Sequence, residues 1–223
     1  MRRILNLSFN YFGYEINRRY PDIYLHKYKS YQEYKDIQIF HNKRKINKVW
    51  ATKNSLNAVI RKIKKELKKN LFGLCHGTRN GFEQNYLASK LSAKIIGTDI
   101  SNTALNFPRS VVWDFHKDNK AWINKCDFIY TNSLDQSFNP KLALNTWLKQ
   151  LKVGGLLFVE HSEAHGPQGA SEMDPFGVKP NVFPYFIAEL FGNKISTEII
   201  HSFMPGEGKS NYPIYIFVIK KLS

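Results

Sequence analysis

The stretch LFGLCHGTRNGFEQNYLASKLSAKIIGTDI, residues 71–100, decides the fold. It opens with a short apolar run, 71–77, that closes on a glycine, and it ends with a second run, 94–100, that closes on Asp99 and Ile100. Residues 81–92 between them read as a helix. Short apolar runs alternating with helices are the mark of parallel strands joined by crossovers, because a strand covered on both faces loses the polar alternation of a half-exposed one. Cys75-His76-Gly77-Thr78-Arg79-Asn80-Gly81 falls where the first strand bends into the helix. Glycine there tolerates positive φ and lets a ligand approach the backbone, while the helix start supplies free N–H groups and positive dipole. The bend suits a nucleotide-like cofactor. Asp99, 18 residues beyond Gly81, ends the second strand, where its two oxygens can accept from both hydroxyls of a ribose. The dinucleotide fingerprint GxGxxG is not matched, which counts against an NAD(P)-dependent oxidoreductase.

Outward from this stretch the pattern repeats. Further strands are predicted at 110–115, 126–132 and 155–161, with helices near 102–106, 117–124 and 140–151. In the last, Leu142, Leu144, Trp147, Leu148 and Leu151 form a stripe, and Gly154-Gly155 supplies the stop. Phe183, Phe186, Ile187, Leu190 and Phe191 recur at helical spacing, and the runs 197–204 and 212–221 flank a turn-rich MPGEGKSN segment, so the chain finishes with an antiparallel pair. Upstream, 54–69 is an amphipathic helix with Leu56, Val59, Ile60, Ile63 and Leu67 on one face and Asn54 or Ser55 as N-cap. The predicted fold is α/β: a doubly wound, mostly parallel seven-stranded sheet with an antiparallel C-terminal strand. A basic N-terminal extension over 1–70 precedes the cofactor-binding domain at 71–223.

In its order of motifs the chain resembles the class I (Rossmann-like) SAM-dependent methyltransferases over roughly residues 70–221. The family's first motif, an acidic residue followed by alternating glycines, aligns with Cys75, Gly77, Arg79 and Gly81. Two positions depart: Cys75 replaces the acid and Arg79 replaces a glycine, so Arg79 becomes a candidate partner for the carboxylate of S-adenosyl-L-methionine (SAM). The resemblance implies SAM as cofactor and S-adenosylhomocysteine as product. It places Cys75, His76, Gly77, Arg79, Gly81, Asp99, Ile100, Asp114, Phe115 and Asn132 at the cofactor, with Asp99 on the ribose and Asp114 and Phe115 beside the adenine. An antiparallel final strand also suits this family. The strings HGTRNGFE, WDFH, SLDQS and DPFG resemble a bacterial branch acting on small molecules or surface sugars.

Methyl transfer from a sulfonium requires alignment of acceptor, methyl and leaving sulfur, and a hydroxyl acceptor must also lose a proton. Candidate bases cluster after the fifth strand, at the carboxyl edge of the sheet, in Glu160-His161-Ser162-Glu163-Ala164-His165. His161 and His165 are the first candidates because imidazole titrates near neutrality, and Asp135 in SLDQS completes the catalytic set. No spacing such as HExxH points to a metal. The Gly- and Pro-rich segment 164–180 is long for a connection and reads as a lid.

The net charge of +15 is localised. Residues 1–70 hold 18 Lys and Arg against 5 Asp and Glu, whereas 71–223 hold 15 against 13. Seven of the 12 tyrosines lie within the first 50 residues, interleaved with Arg18, Arg19, Lys27, Lys29 and Lys35. Such a mixture can pair with phosphates and stack on bases, so an RNA or DNA methyltransferase, or a nucleic-acid-binding protein, is the alternative to an enzyme acting on a small-molecule or glycan acceptor. Against it, part of this charge is the outer face of the 54–69 helix, and an N-terminal extension in the family can instead cap the acceptor pocket. Cys75 and Cys126 sit in apolar runs, which excludes a disulfide framework and fits a reducing compartment. No apolar run reaches the length of a membrane span or a signal peptide, so a cytoplasmic location is expected.

Overall fold

The computed structural model describes residues 21–68, 70–205 and 211–223. In chain order its strands and α-helices are β1 (Ile23–Leu25), α1 (Tyr31–Arg44), α2 (Lys53–Glu66), β2 (Leu71–His76), α3 (Phe82–Lys90), β3 (Ala93–Asp99), β4 (Ser110–Val112), β5 (Cys126–Thr131), α4 (Pro140–Gln150), β6 (Leu151–His161), β7 (Phe176–Val178), α5 (Phe183–Phe191), β8 (Ile195–Pro205) and β9 (Asn211–Lys221). Seven strands form one sheet in the order β4-β3-β2-β5-β6-β9-β8, and β9 alone runs against the others. The predicted sheet is therefore present.

Both faces of the sheet are covered, which is why its strands are apolar throughout. On one face α2 and α3 bury Leu56, Val59, Ile63 and Leu87 against Cys75, Phe128, Tyr130 and Phe158. On the other, α4 and α5 bury Trp147, Phe183 and Ile187 against Leu74, Ile129, Leu157 and Phe217. Leu56, Val59 and Ile63 are fully buried, and at about 1.5–3 kcal/mol per such side chain this burial outweighs the modest propensity of a lysine-rich helix. Lys53, Arg61, Lys64, Lys65 and Lys68 face solvent.

Several local expectations are corrected. The N-cap of α2 is Thr52, whose hydroxyl accepts from the Ser55 N–H at 3.1 Å, rather than Asn54 or Ser55. Residues 117–124 form turns, not a helix: the Asn119 side chain accepts from the Ala121 N–H at 2.9 Å, and Asn124 lies at φ 53°, outside helical geometry. Residues 102–106 form a 3-10 turn. Helix α4 ends at Gln150 and β6 begins at once; Gly154 and Gly155 lie in an irregularity of β6, where the register against β5 shifts between Cys126 and Phe128. The turn at 206–210 lies outside the described residues, as does residue 69.

Helix α1 was not foreseen. Its buried positions are Tyr34, Gln38 and Asn42, a helical stripe that is two-thirds polar and leaves no apolar period in the sequence. The pairing of β1 with β7, Ile23 against Val178 and Leu25 against Phe176, was equally unforeseen. It holds the N-terminal segment against the 164–180 loop, and together they roof the carboxyl edge of the sheet. Among the described residues no helix is long and apolar enough to cross a membrane.

Candidate functional site

From β2 the chain winds to one side through β3 and β4, then returns to β5 and winds to the other through β6. Open α/β sheets bind ligands at this reversal, beyond the carboxyl ends of the two central strands. Here the reversal brings Gly77, just past β2, against Ser133, just past β5: the Ser133 hydroxyl donates to the Gly77 carbonyl at 3.0 Å. Gly77 and Gly81 lie at φ 73° and 77°, and a Cβ on Gly77 would stand 2.5 Å from the Ser133 Cβ. Glycine is thus required at 77 both by backbone angle and by contact.

The donors of this bend are not free, as the sequence suggested they would be. The Gly77 and Thr78 N–H groups both donate to the Thr98 carbonyl, at 2.8 and 3.0 Å, and the Gly81 N–H to Thr78. The Arg79 N–H donates to Asp99 Oδ2 at 2.9 Å. The bend spends its donors clamping β2 to the end of β3. What it offers a ligand is side chains and a bare Gly77.

A cavity of about 460 Å³ opens beside the bend. Gly77, Thr78, Arg79 and Glu83 line one end, Asn132, Ser133, Asp135, Glu160 and His165 the floor, and Lys45, Trp50, Met173 and Asp174 the roof. The roof is tied down by the Gln38 amide donating to the Met173 carbonyl at 2.9 Å and by the Tyr28 hydroxyl donating to the Glu172 carbonyl. A smaller cleft of about 30 Å³ adjoins it under α1, lined by Asp99, Ile100, Asp114 and Phe115 from the sheet and by Tyr34, Gln38 and Asn42 from the helix. Gly77 and Arg79 border both spaces.

The two aspartates of the cleft are held differently. Asp99 accepts from the Arg79 and Ser101 N–H groups; burial raises its pKa, and these bonds oppose the rise. For Asp114 burial also pushes upward, but bonds from His116, at 2.7 Å to Nδ1, and from the Tyr31 hydroxyl, at 2.6 Å, outweigh it and hold the carboxyl at about 2.

The cavity is rich in carboxyl groups displaced in the opposite sense. Burial pushes Glu83 up to about 7. Glu160, which accepts from the Tyr130 hydroxyl at 2.9 Å, is pushed by burial to about 7 as well. Asp174 rises to about 6 through burial and the nearby charge of Asp135, and burial raises Asp135 in turn. Titratable groups displaced by burial and by one another in a cleft make it a candidate functional site. His165 Nε2 stands 3.7 Å from Asp135 Oδ2, near enough for charge to be felt but beyond hydrogen-bonding reach.

Four predicted residues are not at either space. Cys75 is fully buried in the core. His76 is 1% exposed, bonded to Thr98 and Gln150 and stacked on Trp147, and burial lowers its pKa to about 4. Gly81 serves as the N-cap of α3. His161 is buried between Phe183 and Phe217, and its Nε2–H donates to the Val178 carbonyl at 2.9 Å; burial lowers its pKa to about 3. Gly77, Arg79, Asp99, Ile100, Asp114, Phe115, Asn132, Asp135 and His165 do border the two spaces. Glu83, Lys45, Trp50 and Asp174 border them without having been singled out.

No family model matches the chain, and no curated protein matches it by sequence. Its fold is similar to solved structures of class I SAM-dependent methyltransferases. One is the Burkholderia thailandensis 1,6-didemethyltoxoflavin-N1-methyltransferase with bound 1,6-didemethyltoxoflavin and S-adenosylhomocysteine, 12% identical with a TM-score of 0.63 over 89% of this chain and 93% of that one. Another is the Haemonchus contortus phosphoethanolamine N-methyltransferase 2 in complex with phosphomonomethylethanolamine and S-adenosylhomocysteine, 11% identical with a TM-score of 0.60 over 100% of this chain and 74% of that one. A SAM-dependent methyltransferase from Aquifex aeolicus matches at 14% identity and a TM-score of 0.52, over 75% and 90%. At these identities the likeness establishes the fold alone: a seven-stranded, mostly parallel sheet with one antiparallel strand.

Proposed function

We propose that the chain is a SAM-dependent methyltransferase that transfers a methyl group to an O or N atom of a small-molecule or glycan acceptor, releasing S-adenosylhomocysteine. The reversal of the sheet at Gly77 and Ser133, flanked by Asp99 at the end of β3, carries this reading, because it sets a bare backbone and a ribose-binding carboxylate side by side. The residues present fit the cofactor. Gly77 admits nothing larger at the bend, and Arg79 Nε and Glu83 Oε2 are buried polar atoms at the cavity end without a protein partner. Asp99 has lone pairs left for ribose hydroxyls after accepting its two N–H bonds. The narrow cleft between Asp114, Phe115 and α1 is the place for the base.

SAM, when bound, supplies an electrophilic methyl group on a sulfonium. The remaining work falls to the chain: Asn132, Asp135 and His165 face the cavity from the sheet edge, where His165 can take a proton from a hydroxyl or ammonium acceptor and the nearby Asp135 carboxyl favours the imidazolium that forms. The roof formed by Lys45, Trp50, Met173 and Asp174 favours a compact acceptor over a polymer lying across the surface.

Isothermal titration calorimetry with S-adenosylhomocysteine tests the cofactor. Wild type is expected to bind and Asp99→Ala to lose at least about a hundredfold in affinity, the worth of a pair of charge-assisted bonds. No binding by the wild type, or equal binding by both, overturns the reading. A screen of amines, phenols and sugars for SAM consumption then identifies the acceptor.

A further inference from the structure

We propose that Glu83 is the ammonium ligand of the cofactor's amino-acid end and that, with Arg79, it forms a clamp for a zwitterion at the head of the cavity. This rests on the cofactor reading above and extends it to a residue outside the usual motif positions. Where the resembling family carries an acid on the first strand, this chain has Cys75, whose thiol is fully buried and borders neither space. The carboxylate is supplied instead from the neighbouring helix. Glu83 lies in the first turn of α3, is 5% exposed, and lines the cavity beside Thr78 and Arg79.

Two atoms carry the inference. Glu83 Oε2 is an acceptor and Arg79 Nε a donor; both are buried, and neither has a hydrogen-bond partner. A buried polar atom without a partner costs about 1–3 kcal/mol, more when the group is charged, so a pair of them at one cavity end calls for a ligand. Opposite unmet demands in the lining of one cavity fit a group that carries both signs. An α-amino acid end does so: its ammonium matches Glu83 and its carboxylate matches Arg79. The Arg79 backbone, at φ 44°, is held by its N–H bond to Asp99; its side chain lines the cavity and donates from Nη1 to the Lys48 carbonyl at 3.3 Å, which leaves Nε for the ligand.

The groups acting on Glu83 are consistent with an incoming cation. Burial pushes its carboxyl up to about 7, Arg79 opposes the rise, and Glu160 and Asp99 add to it. Cys75 and Tyr130 lie close enough for the Glu83 charge to raise them as well. A ligand ammonium would favour the ionised carboxylate, so that Glu83 releases its proton to solvent and is left in an ion pair.

The test compares two probes on the full-length chain by calorimetry: S-adenosylhomocysteine, which has the amino-acid end, and 5′-deoxy-5′-methylthioadenosine, which lacks it. Glu83→Gln and Arg79→Met are each expected to weaken the first by roughly ten- to a hundredfold, the value of one hydrogen bond to a charged group, and to leave the second within about twofold. Equal S-adenosylhomocysteine affinity in wild type and Glu83→Gln overturns the clamp. Parallel loss of both probes also overturns it, by assigning Glu83 to the fold. If the wild type binds the thioadenosine but gains nothing from the amino-acid end, the clamp fails while the cofactor reading stands; if it binds neither probe, both fail. Should Glu83→Gln not fold, wild-type titrations at pH 6 and 8 decide: S-adenosylhomocysteine is expected to bind more tightly at pH 8, because Glu83 must be ionised, with the thioadenosine unchanged. The absence of any difference between the probes refutes the proposal.

Discussion

The Tyr31 hydroxyl donates to Asp114 Oδ2 at 2.6 Å, fastening the first turn of α1 to the segment just past β4 across 83 residues of chain. The bond closes the cleft in which an adenine would lie. It also completes the set of donors that holds Asp114 at about 2. A carboxyl whose folded value lies below its unfolded value of about 3.9 stabilises the fold above that unfolded value and loses its contribution as pH falls through the folded one. Wild type should therefore exceed Asp114→Asn in stability by about 2 kcal/mol at pH 6, and the gap should shrink between about pH 4 and pH 2. Urea unfolding across that range checks it, and a gap that does not narrow on acidification contradicts the assignment.

Tyr31→Phe removes the fastening without altering the aspartate. Tyr31 is 39% exposed, so the loss should be modest, about 1 kcal/mol, or a fall in Tm of roughly 2–4 °C for a chain of this size. Affinity for S-adenosylhomocysteine should hold or rise, since α1 is freer to admit the base. A marked loss of affinity would instead make the Tyr31 hydroxyl part of the binding surface.

The two histidines after β6 should separate cleanly. His165 borders the cavity and lies near Asp135, so His165→Phe is expected to lower kcat by about 10²–10⁴ on a hydroxyl acceptor, with little change in Tm. His161 bridges to the Val178 carbonyl inside the core, so His161→Phe should leave kcat within about threefold but lower stability by about 1–3 kcal/mol, through the carbonyl left unpaired. Turnover and thermal melts on the same two proteins distinguish them, and the reverse pattern would exchange their roles.

At the bend, Gly77→Ala meets both a positive φ and the Ser133 side chain 2.5 Å away, a combined cost of about 2–4 kcal/mol. Adding Ser133→Gly removes the contact but not the backbone strain. The double variant should regain part of the lost Tm and not all of it. Full recovery would show that φ is unimportant there; none would show that the contact is.

The large sheet was legible because its strands are buried on both faces and announce themselves as apolar runs, and because Gly77, Asp99 and Asp114 fall at their carboxyl ends. Helix α1 was not, since it buries Gln38 and Asn42 in polar contacts that leave no hydrophobic period. Residues 117–124 are turns because the Asn119 side chain caps the Ala121 N–H and Asn124 takes a positive φ, local features that the apolar pattern does not carry. Within the site, spacing located the residues that follow strands. It could not separate His161 from His165, whose difference is the direction of two side chains at one strand end, and it passed over Glu83, which in sequence is an ordinary acidic residue in the first turn of a helix.

The three-residue pairing of β1 with β7 gives the roof a mechanical character of its own. Neither strand is long enough to persist without the other, so Ile23–Leu25 and Phe176–Val178 act as the two halves of a latch and release together. One half leads into α1, above the cleft lined by Asp99 and Asp114; the other belongs to the loop above the cavity. A single unlatching should expose both compartments, and the ladder amides that it frees, those of Tyr24, His26, Gly177 and Lys179, should exchange with deuterium at a common rate that cofactor slows.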